Sequence, residues 1–446
     1  RFNLEVLMSY IDHYGKYLGE VSADITKCEE SGRRVVFGYT SDLDIVFRYN
    51  SDAFNALTKD YLTEAPQIQA EDSIDSLADF TRIVAAYMIA GAGGESDIND
   101  YRVCEYLRAH FEGVPGLGGT CAQGAAALGA MGMPLVACIS DRCREVCEMM
   151  DYPGLYTVKD GKTVPIMEIA TDHNPVYHMI LQYTKGDTLE INGKTYTVPC
   201  SNRLIMGYDK VHKDLNVDDD FKTYLEDHAE NMISYNISGL NAILDPKLME
   251  KRMNEMDQHY KTIKEKNPSC IFYFESAHYL NPQVKHIVYH AMARYVDILG
   301  MNEEELVVHT RECGQDIDKS SFPDIIRGLE LVLKKHGVKG IILHTKDYSM
   351  YFGDELSGVN IEKGLTMGNL MSGTRARTGR YGSQQDCSES LSLPLSPTGL
   401  RFAEELSKMN LSHSACLVPS RYMEKPKYTI GLGDTFVAGV QMGFIR

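Results

Sequence analysis

The sequence predicts an α/β fold that combines a doubly wound parallel sheet with a smaller β-rich unit. Three observations predict it. Short apolar runs alternate with helical segments between about 216 and 345, as expected when each strand is followed by a covering helix. Residues 155–207 instead repeat apolar side chains with a period of two, and Asn192-Gly193 marks a hairpin turn. Glycine turns open helices of small residues at 116–127 and at 431–440.

Composition limits the possible functions. The chain has 446 residues, of which 43% are hydrophobic, and this length fits two to three domains or one large domain with an insertion. It contains no run of about 18 apolar residues, so we expect no membrane-spanning helix. The net charge of −17 argues against a nucleic acid or an anionic membrane as a partner. Eleven scattered cysteines without framework spacing indicate reduced thiols and a cytoplasmic protein.

The first segment leads to a pair of acids. Residues 1–30 have helical amphipathic patterning, and 33–39 form an apolar run that ends at glycine, typical of a buried strand. This strand would deliver 40–44 to a loop. Asp42 and Asp44 alternate, so on an extended segment they face the same side. Two interpretations stay open: a solvated turn, or carboxylates presented at the carboxyl end of a strand, where open α/β sheets bind ligands.

A glycine turn at 116–119 opens the small-residue helix 120–127, for which a packing role and a binding role are equally supported. A strand at 133–139 follows. The hairpin joins 188–191 to 194–198 and indicates an inserted sheet or lid. We therefore divide the chain into a large α/β unit and a lid unit. The large unit comprises 1–41, 116–152 and 206–446, and the lid comprises 42–115 and 153–205.

The second half restores the alternation of strands and helices. The predicted helices cover about 246–266, 283–293 and 323–336, and the predicted strands cover 270–275, 295–299 and 340–345. Residues 372–398 are rich in Ser, Gly, Arg and Pro, which predicts a loop that exposes Arg375, Arg377 and Arg380.

Polar side chains collect at the predicted strand ends. Glu275 and Glu305 each follow a core strand, and Asn302 precedes Glu305 by three residues. Such oxygen donors suit Mg²⁺, although an acidic first helical turn favoured by the helix dipole is the simpler interpretation. Near the C-terminus, Gly431-Leu432-Gly433-Asp434 forms a loop that opens a helix, with Asp434 as a cap or a general base. An acid, backbone donors and a divalent cation together indicate phosphoryl transfer.

These residues carry a resemblance. The segment 431–434 resembles the G-x-G-D signature of the ribokinase-like sugar kinases. Further segments narrow the resemblance to the ADP-dependent glucokinase and phosphofructokinase family, in the order of that family, from about 35 to 446. These segments are Gly118-Gly119, Asn202-Arg203-Leu204-Ile205, Ile237-Ser238-Gly239-Leu240, 300–306, Val418-Pro419, Pro426 and 429–435.

The resemblance implies a ribokinase-like three-layer α/β/α domain with a smaller β-rich lid. It also implies transfer of the β-phosphate of ADP to a hydroxyl of a hexose (glucose-like) or of a hexose phosphate (fructose 6-phosphate), releasing AMP.

Site residues follow from the same resemblance. Asp434 is implied as the base, the backbone of Gly431, Leu432 and Gly433 as the anion hole, and Arg203 as a lid arginine on the transferred phosphate. Magnesium is implied at Glu275, Asn302 and Glu305. The sugar site is implied at Asp42, Asp44, Glu95, Gly118, Gly119 and Asn202. The nucleotide site is implied at His344, Thr345, Val418 and Pro419.

Three positions depart from the family pattern. Tyr273 replaces a histidine, Asp42 an asparagine and Thr120 a glutamine. Asp42 beside Asp44 should repel a phosphorylated sugar, which favours an unphosphorylated hexose unless Lys185 or Arg203 reverses this.

Other functions remain alternatives. The preference for ADP rests on the resemblance alone, so an ATP-dependent carbohydrate or nucleoside kinase of the same fold is the rival, followed by a non-catalytic nucleotide- or sugar-binding protein. A dinucleotide-dependent oxidoreductase is disfavoured, because the full G-x-G-x-x-G after an early strand is missing.

Overall fold

The computed structural model describes residues 4–69 and 73–446. Within them the strands are β1 (Arg34–Gly38), β2 (Asp42–Arg48), β3 (Ser73–Ile74), β4 (Gly94–Ile98), β5 (Gly113–Gly118), β6 (Leu135–Ala137), β7 (Leu155–Lys159), β8 (Lys162–Pro165), β9 (Tyr177–Tyr183), β10 (Thr188–Ile191), β11 (Lys194–Thr197), β12 (Asn202–Tyr208), β13 (Met232–Ile237), β14 (Ile271–Glu275), β15 (Ile298–Asn302), β16 (Gly340–His344), β17 (Tyr348–Gly353) and β18 (Ser414–Pro419).

The α-helices of the same residues are α1 (Leu4–Ser31), α2 (Ser51–Tyr61), α3 (Leu77–Ala90), α4 (Tyr101–His110), α5 (Thr120–Ala130), α6 (Arg144–Met149), α7 (Asp219–Asp227), α8 (Pro246–Lys266), α9 (Pro282–Met292), α10 (Glu303–Glu312), α11 (Phe322–His336), α12 (Ile361–Thr378), α13 (Gln384–Ser390), α14 (Pro397–Ser407) and α15 (Leu432–Val440). Short 3₁₀ turns lie at Ile166–Ile169, Ala229–Asn231, Leu240–Ala242 and Gln441–Phe444.

The larger sheet has ten strands in the order β18-β17-β16-β15-β14-β13-β1-β6-β7-β8. Strands β7, β6, β1, β13, β14, β15 and β16 pair in parallel, and the two ends of the sheet are antiparallel. The central strands are buried, as parallel sheets covered by helices are. This architecture confirms the predicted α/β fold with a parallel sheet.

One predicted strand is displaced. Residues 295–299 were expected to form it, but β15 runs from Ile298 to Asn302. The N–H groups of Tyr295 and Val296 donate to the Met292 carbonyl at the end of α9, so the chain is still turning there. The displacement brings Asn302 to the tip of the strand.

The smaller sheet has six strands in the order β3-β4-β12-β9-β2-β5, and the hairpin β10–β11 lies beside it. The hairpin closes at the predicted Asn192-Gly193 turn, with Ile191 opposite Lys194. The predicted loop at 40–44 is wrong from Asp42 onward, where β2 begins. This segment is extended because it pairs with β5 on one edge and with β9 on the other.

Strand membership departs from the predicted division of the chain at two points. Strands β7 and β8 belong to the larger sheet, although 153–205 was assigned to the lid. Strand β5 belongs to the smaller sheet and crosses the boundary drawn at 116. The division into two units stays a prediction, and residues 1–3 and 70–72 of it lie outside the described residues.

The predicted loop at 372–398 is also wrong in its first part and in its middle. Residues 372–378 continue α12, and 384–390 form α13. Arg375 is only 4% exposed, Arg377 is half-buried and Arg380 is exposed. The spacing of Ser and Gly residues suggested a loop, but small residues here let α12 lie close to α15: a Cβ on Gly439 would stand 2.5 Å from the backbone nitrogen of Gly368.

Among the helices of the described part of the chain, none combines the length and the apolar character needed to span a membrane.

Candidate active site

The loop before α15 presents backbone donors. Gly431 adopts φ 67° as the N-terminal cap of this helix, and a Cβ there would lie 1.8 Å from Gln123 Oε1. Both the left-handed backbone and the missing space require glycine. The first N–H groups of a helix have no intrahelical acceptor, so those following Gly431 are available to an anion. Gly433 is held close to the His344 ring, and the Leu432 carbonyl accepts from the Ser372 hydroxyl at 3.0 Å.

Asp434 lies half-buried in the first turn of α15, and its pKa is raised to about 6. Burial is the main cause, and the nearby negative charge of Glu275 adds to it. A hydrogen bond from Thr120 and the positive charges of His344 and Arg375 act in the opposite direction. The carboxylate is therefore ionised at neutral pH and still basic enough to accept a proton.

A second group of polar side chains stands at the ends of β14, β15 and β16. Glu275 Oε1 lies 2.8 Å from His344 Nε2, and Glu275 Oε2 accepts from the Tyr273 hydroxyl at 3.0 Å. Gly300 on the neighbouring strand leaves room for this carboxylate, since a Cβ there would lie 2.0 Å from Oε2. Tyr273, which replaces the histidine of the family pattern, thus bonds directly to Glu275.

Asn302 and Glu305 form a capping box at the start of α10. The Asn302 side chain accepts from the N–H groups of Glu304 and Glu305, and Glu305 Oε2 accepts from the Asn302 N–H at 3.0 Å. Burial, followed by the charge of Glu275, raises the pKa of Glu305 to about 7. The helix-cap interpretation is therefore confirmed, and the negative charge of Glu275 also lies close enough to act on Glu305.

The predicted sugar-site acids meet a histidine on the smaller sheet. Asp42 and Asp44 stand opposite Gly118 and Gly116 on β5, and Asp44 stands opposite His178 on β9. His178 Nδ1 lies 3.0 Å from Asp42 Oδ1 and 3.3 Å from Asp44 Oδ1. A Cβ on Gly118 would lie 1.9 Å from Asp42 Oδ1, so glycine is needed there.

The pKa values of Asp42, Asp44 and His178 are shifted in different directions. Burial opposes the charge of His178, but Asp42 and Asp44 together outweigh it and raise the pKa of the imidazole well above its usual value. Burial likewise opposes ionisation of Asp42, yet His178 lowers the pKa of this carboxyl. Burial raises the pKa of Asp44 to about 6. Asp42 is thus neutralised by His178, which weakens the expectation that the acidic pair repels a phosphorylated sugar.

The two halves meet at the junction of β5 and α5. Gly119, at φ 84°, caps α5 with no space for a Cβ, which would stand 2.5 Å from the Thr40 carbonyl oxygen. The next residue, Thr120, bonds to Asp434. Gly118, which lies opposite Asp42, and Thr120, which bonds to Asp434, are therefore only two positions apart in the chain.

The other predicted lid residues lie further along the smaller sheet. Glu95 and Arg203 are exposed, and Glu95 pairs in register with Ile205. The Asn202 amide donates to the Gly91 carbonyl at 3.3 Å. Within residues 4–69 and 73–446 no ion-pair partner lies near Arg203, so its guanidinium is available to a ligand.

The residues predicted to flank the adenine occupy different surroundings. His344 contacts Glu275 and packs against Phe436 at 5.0 Å between ring centroids, which places it beside the loop at 431–434. Thr345 closes the turn to Tyr348. The carbonyls of Val418 and Pro419 accept from Asn369 and Tyr14. A nucleotide-binding role for these four residues stays a prediction.

Sequence reasoning missed several residues that the fold brings to the site. His178 entered only as part of an alternating apolar pattern, and Arg375 was expected on the surface. Gln123 was read as one residue of a small-residue helix. A polar residue within an otherwise small, apolar helix was the available signal for Gln123, whereas His178 and Arg375 approach the site only through tertiary packing.

The fold and the site together define a class: a ribokinase-like α/β protein with a smaller β-rich sheet beside a glycine-loop and acid centre. Residues 33–442 match the family described as "ADP-specific Phosphofructokinase/Glucokinase conserved region", and the chain belongs to this family. This confirms the resemblance seen in the motifs.

Individual relatives are distant, and their matches cover most of this chain. The ADP-specific phosphofructokinase of Thermococcus kodakarensis is 21% identical over 443 residues, covering 93% of this chain and 96% of the relative. The ADP-dependent glucose/glucosamine kinase of Pyrococcus abyssi is 24% identical over 365 residues, covering 77% and 79%. The solved structure titled last common ancestor of ADP-dependent phosphofructokinases from Methanosarcinales superimposes with a TM-score of 0.82 at 20% identity, covering 98% of each chain.

Proposed function

We propose that this protein is a magnesium-dependent sugar kinase that transfers the β-phosphate of ADP to a hydroxyl of a hexose or hexose phosphate and releases AMP. The observation that carries the proposal is Asp434, half-buried in the first turn of α15 beside free backbone donors, with a pKa of about 6. Membership of the ADP-specific family supports ADP as the donor and a sugar as the acceptor. Relatives are named ADP-specific phosphofructokinase and ADP-dependent glucose/glucosamine kinase, so fructose 6-phosphate and glucose are both candidate acceptors.

In this mechanism Asp434 accepts the proton of the attacking hydroxyl. The N–H groups after Gly431 stabilise the negative charge that develops on the phosphoryl oxygens, because they are already oriented before the reaction. Asp42, Asp44 and His178 form hydrogen bonds with the remaining sugar hydroxyls. Arg203, on the exposed end of β12, supplies positive charge to the phosphate when the smaller sheet closes over the site.

The donor set at the tips of β14 and β15 fits a divalent cation. Glu275 and Glu305 are close enough that the charge of one raises the pKa of the other, and an oxygen-preferring cation would relieve this repulsion. Since Asn302 and Glu305 also cap α10, we assign them to the cation through intervening water. Bound there, magnesium would neutralise charge on the phosphates. We also place the enzyme in the cytoplasm, in keeping with its eleven cysteines without disulfides in the described chain.

The test uses purified protein with Mg²⁺, glucose or fructose 6-phosphate, and ADP or ATP. We expect AMP from ADP with at least one of the two sugars. Formation of ADP from ATP without AMP from ADP would favour the ATP-dependent alternative, and no turnover with any pair would favour a binding protein. Asp434→Asn should lower kcat by several orders of magnitude with ADP binding retained. Unchanged kcat in this variant would exclude the base role.

A further inference from the structure

Arg375 occupies an unusual position for a charged residue. It lies in the last turn of α12 and is 4% exposed. Its guanidinium carbon stands 4.0 Å from the ring centroid of Tyr381 and 4.8 Å from that of Tyr428, so two aromatic rings hold it. Such stacking fixes a guanidinium plane and orients its donors.

The donors point at the catalytic loop. Nε donates to the carbonyl of Ile430, the residue before Gly431, at 3.1 Å. Nη2 donates to Gln123 Oε1 at 3.3 Å, and the Tyr381 hydroxyl donates to the same oxygen at 3.3 Å. That amide oxygen fills the space that a side chain on Gly431 would take. Arg375 therefore bonds both to the loop and to the side chain that sets the loop's shape.

The charge of Arg375 has no fixed counterion. In the part of the chain that the structure describes, its partners are a carbonyl, an amide and aromatic rings, and no carboxylate lies within ion-pair distance. Burying a guanidinium without a carboxylate is costly, so hydrogen bonds to the carbonyl and the amide and contacts with the rings must offset that cost. The adjacent G-L-G-D loop is the anion-binding element of the site.

Tyr428 extends this unit toward the sugar. Its hydroxyl lies beside Gly116 on β5, at 3.7 Å from where a Cβ would stand. Gly116 is the register partner of Asp44. The ring that stacks on Arg375 thus reaches the strand that carries the sugar site.

We infer that Arg375 is a positioning residue for the proposed phosphoryl transfer: its guanidinium fixes the Ile430 carbonyl and the Gln123 amide, and so orients the N–H groups of 431–433 and the carboxylate of Asp434. This inference rests on the proposed function. Arginine is required because its planar fork reaches two acceptors at once, whereas a lysine ammonium supplies the same charge from a single point.

Kinetics of Arg375→Gln and Arg375→Lys test this inference, with Arg377→Gln as the matched control. Arg377 lies on the same helix but bonds to Ser390 and to the Asp386 carbonyl, away from the loop. We expect kcat to fall by roughly 100-fold in the glutamine variant, with a KM for the sugar within about threefold, because misplaced groups cost turnover more than binding. The lysine variant should recover part of the loss. Arg377→Gln should keep its kcat.

Hydrogen–deuterium exchange separates this inference from the proposed function. The amides of 430–434 in the ligand-free protein should exchange at least about tenfold faster in Arg375→Gln than in the unmodified protein, and at an unchanged rate in Arg377→Gln. If the unmodified protein forms no AMP, the proposed function fails. The exchange measurement alone then decides whether Arg375 positions the loop. Equal exchange rates in Arg375→Gln and the unmodified protein would overturn the inference. Equal losses of kcat in Arg375→Gln and Arg377→Gln would also overturn it. If the glutamine variant does not fold, Arg375→Lys carries both measurements.

Discussion

At the scale of single residues, Asp434 illustrates how opposed contacts set a useful basicity. Burial and Glu275 raise its pKa, and Thr120 lowers it through a hydrogen bond. The result, about 6, keeps the carboxylate ionised at pH 7 while leaving it a stronger base than an exposed aspartate.

The pH dependence of turnover should report this balance. A base works only when ionised, so kcat/KM should rise with pH and level off above an apparent pKa near 6, rather than near the usual 4. Thr120→Val removes the lowering contact and should move the midpoint to higher pH. Thr58→Val is the control. The Thr58 hydroxyl donates to the Glu190 carbonyl, away from the site, so this variant should leave the midpoint unchanged. Steady-state rates from pH 4.5 to 8.5 measure the midpoints, and coincident profiles for Thr120→Val and the unmodified protein would contradict the assignment.

Glu305 offers a stability test of the proposed magnesium site. Its pKa is raised to about 7 in the folded chain, so its ionisation opposes folding: no cost exists below its unfolded value, and the cost grows up to about pH 7 and then stays constant. Glu305→Gln keeps an acceptor for the capping box and should stabilise the metal-free protein by about 1–2 kcal/mol at pH 8 but not at pH 4.

Thermal unfolding in EDTA and in Mg²⁺ measures both effects of this substitution. Magnesium at pH 8 should raise the Tm of the unmodified protein more than that of Glu305→Gln, because the variant lacks one of the two carboxylates. Glu303→Gln, in the same helical turn, serves as the control and should respond to magnesium like the unmodified protein. Equal magnesium responses in all three proteins would argue against a cation at this position.

At the scale of elements, local pattern predicted those segments whose environment is uniform. The parallel strands of the larger sheet were predictable because both faces are buried and the apolar run is continuous. The Asn192-Gly193 hairpin was predictable because its turn demands those residues. Strand β2 was missed because its polar residues Asp42 and Asp44 are stabilised by His178. This partner lies more than 130 residues away in the chain, and no local pattern reveals it.

The contact between α12 and α15 was hidden for a related reason. The Ser, Gly, Arg and Pro content of 372–398 favours a loop in isolation, whereas in the folded chain 372–378 continue α12, whose Gly368 lets its backbone touch that of α15. Arg375 follows from the same error, since a residue placed in a loop is expected to be exposed. The glycine loop at 431–434 was recognisable, because φ > 0 and close approach both demand glycine at 431.

Two glycine substitutions should have opposite effects on stability. Gly439→Ala places a Cβ 2.5 Å from the Gly368 nitrogen, so α12 and α15 must separate, at a cost of about 1–3 kcal/mol. Gly15→Ala, at an exposed position of α1 with nothing within 4 Å of the added Cβ, should stabilise by about 0.5–1 kcal/mol. Urea unfolding midpoints measure both. A neutral Gly439→Ala would mean that the two helices are not in backbone contact.

At the scale of the whole molecule, the site is divided between two sheets. Asp434, Glu275 and Arg375 belong to the larger sheet and its helices, and Asp42, Asp44 and His178 to the smaller one. Among the described residues, the β5–α5 junction links the two sheets along the chain, and Tyr428 reaches from beside Arg375 to β5. The sequence pointed to Asp434, Glu275, Asp42 and Asp44. It missed His178 and the burial of Arg375, because these depend on how the sheets and helices pack in the folded chain.

This division predicts that nucleotide and sugar bind with positive coupling. A nucleotide held by the larger sheet and a sugar held by the smaller one each favour the arrangement in which the sheets approach, so either ligand should tighten the other by the same factor, about 5- to 150-fold. Calorimetric titration of the accepted sugar with and without AMP, and the reverse titration, avoid turnover and measure both factors. Asp44→Asn should weaken sugar binding while leaving the affinity for AMP in the absence of sugar unchanged. Unequal factors would reveal a faulty measurement, since reciprocity is thermodynamic, and two factors of one would show that the sheets bind their ligands independently.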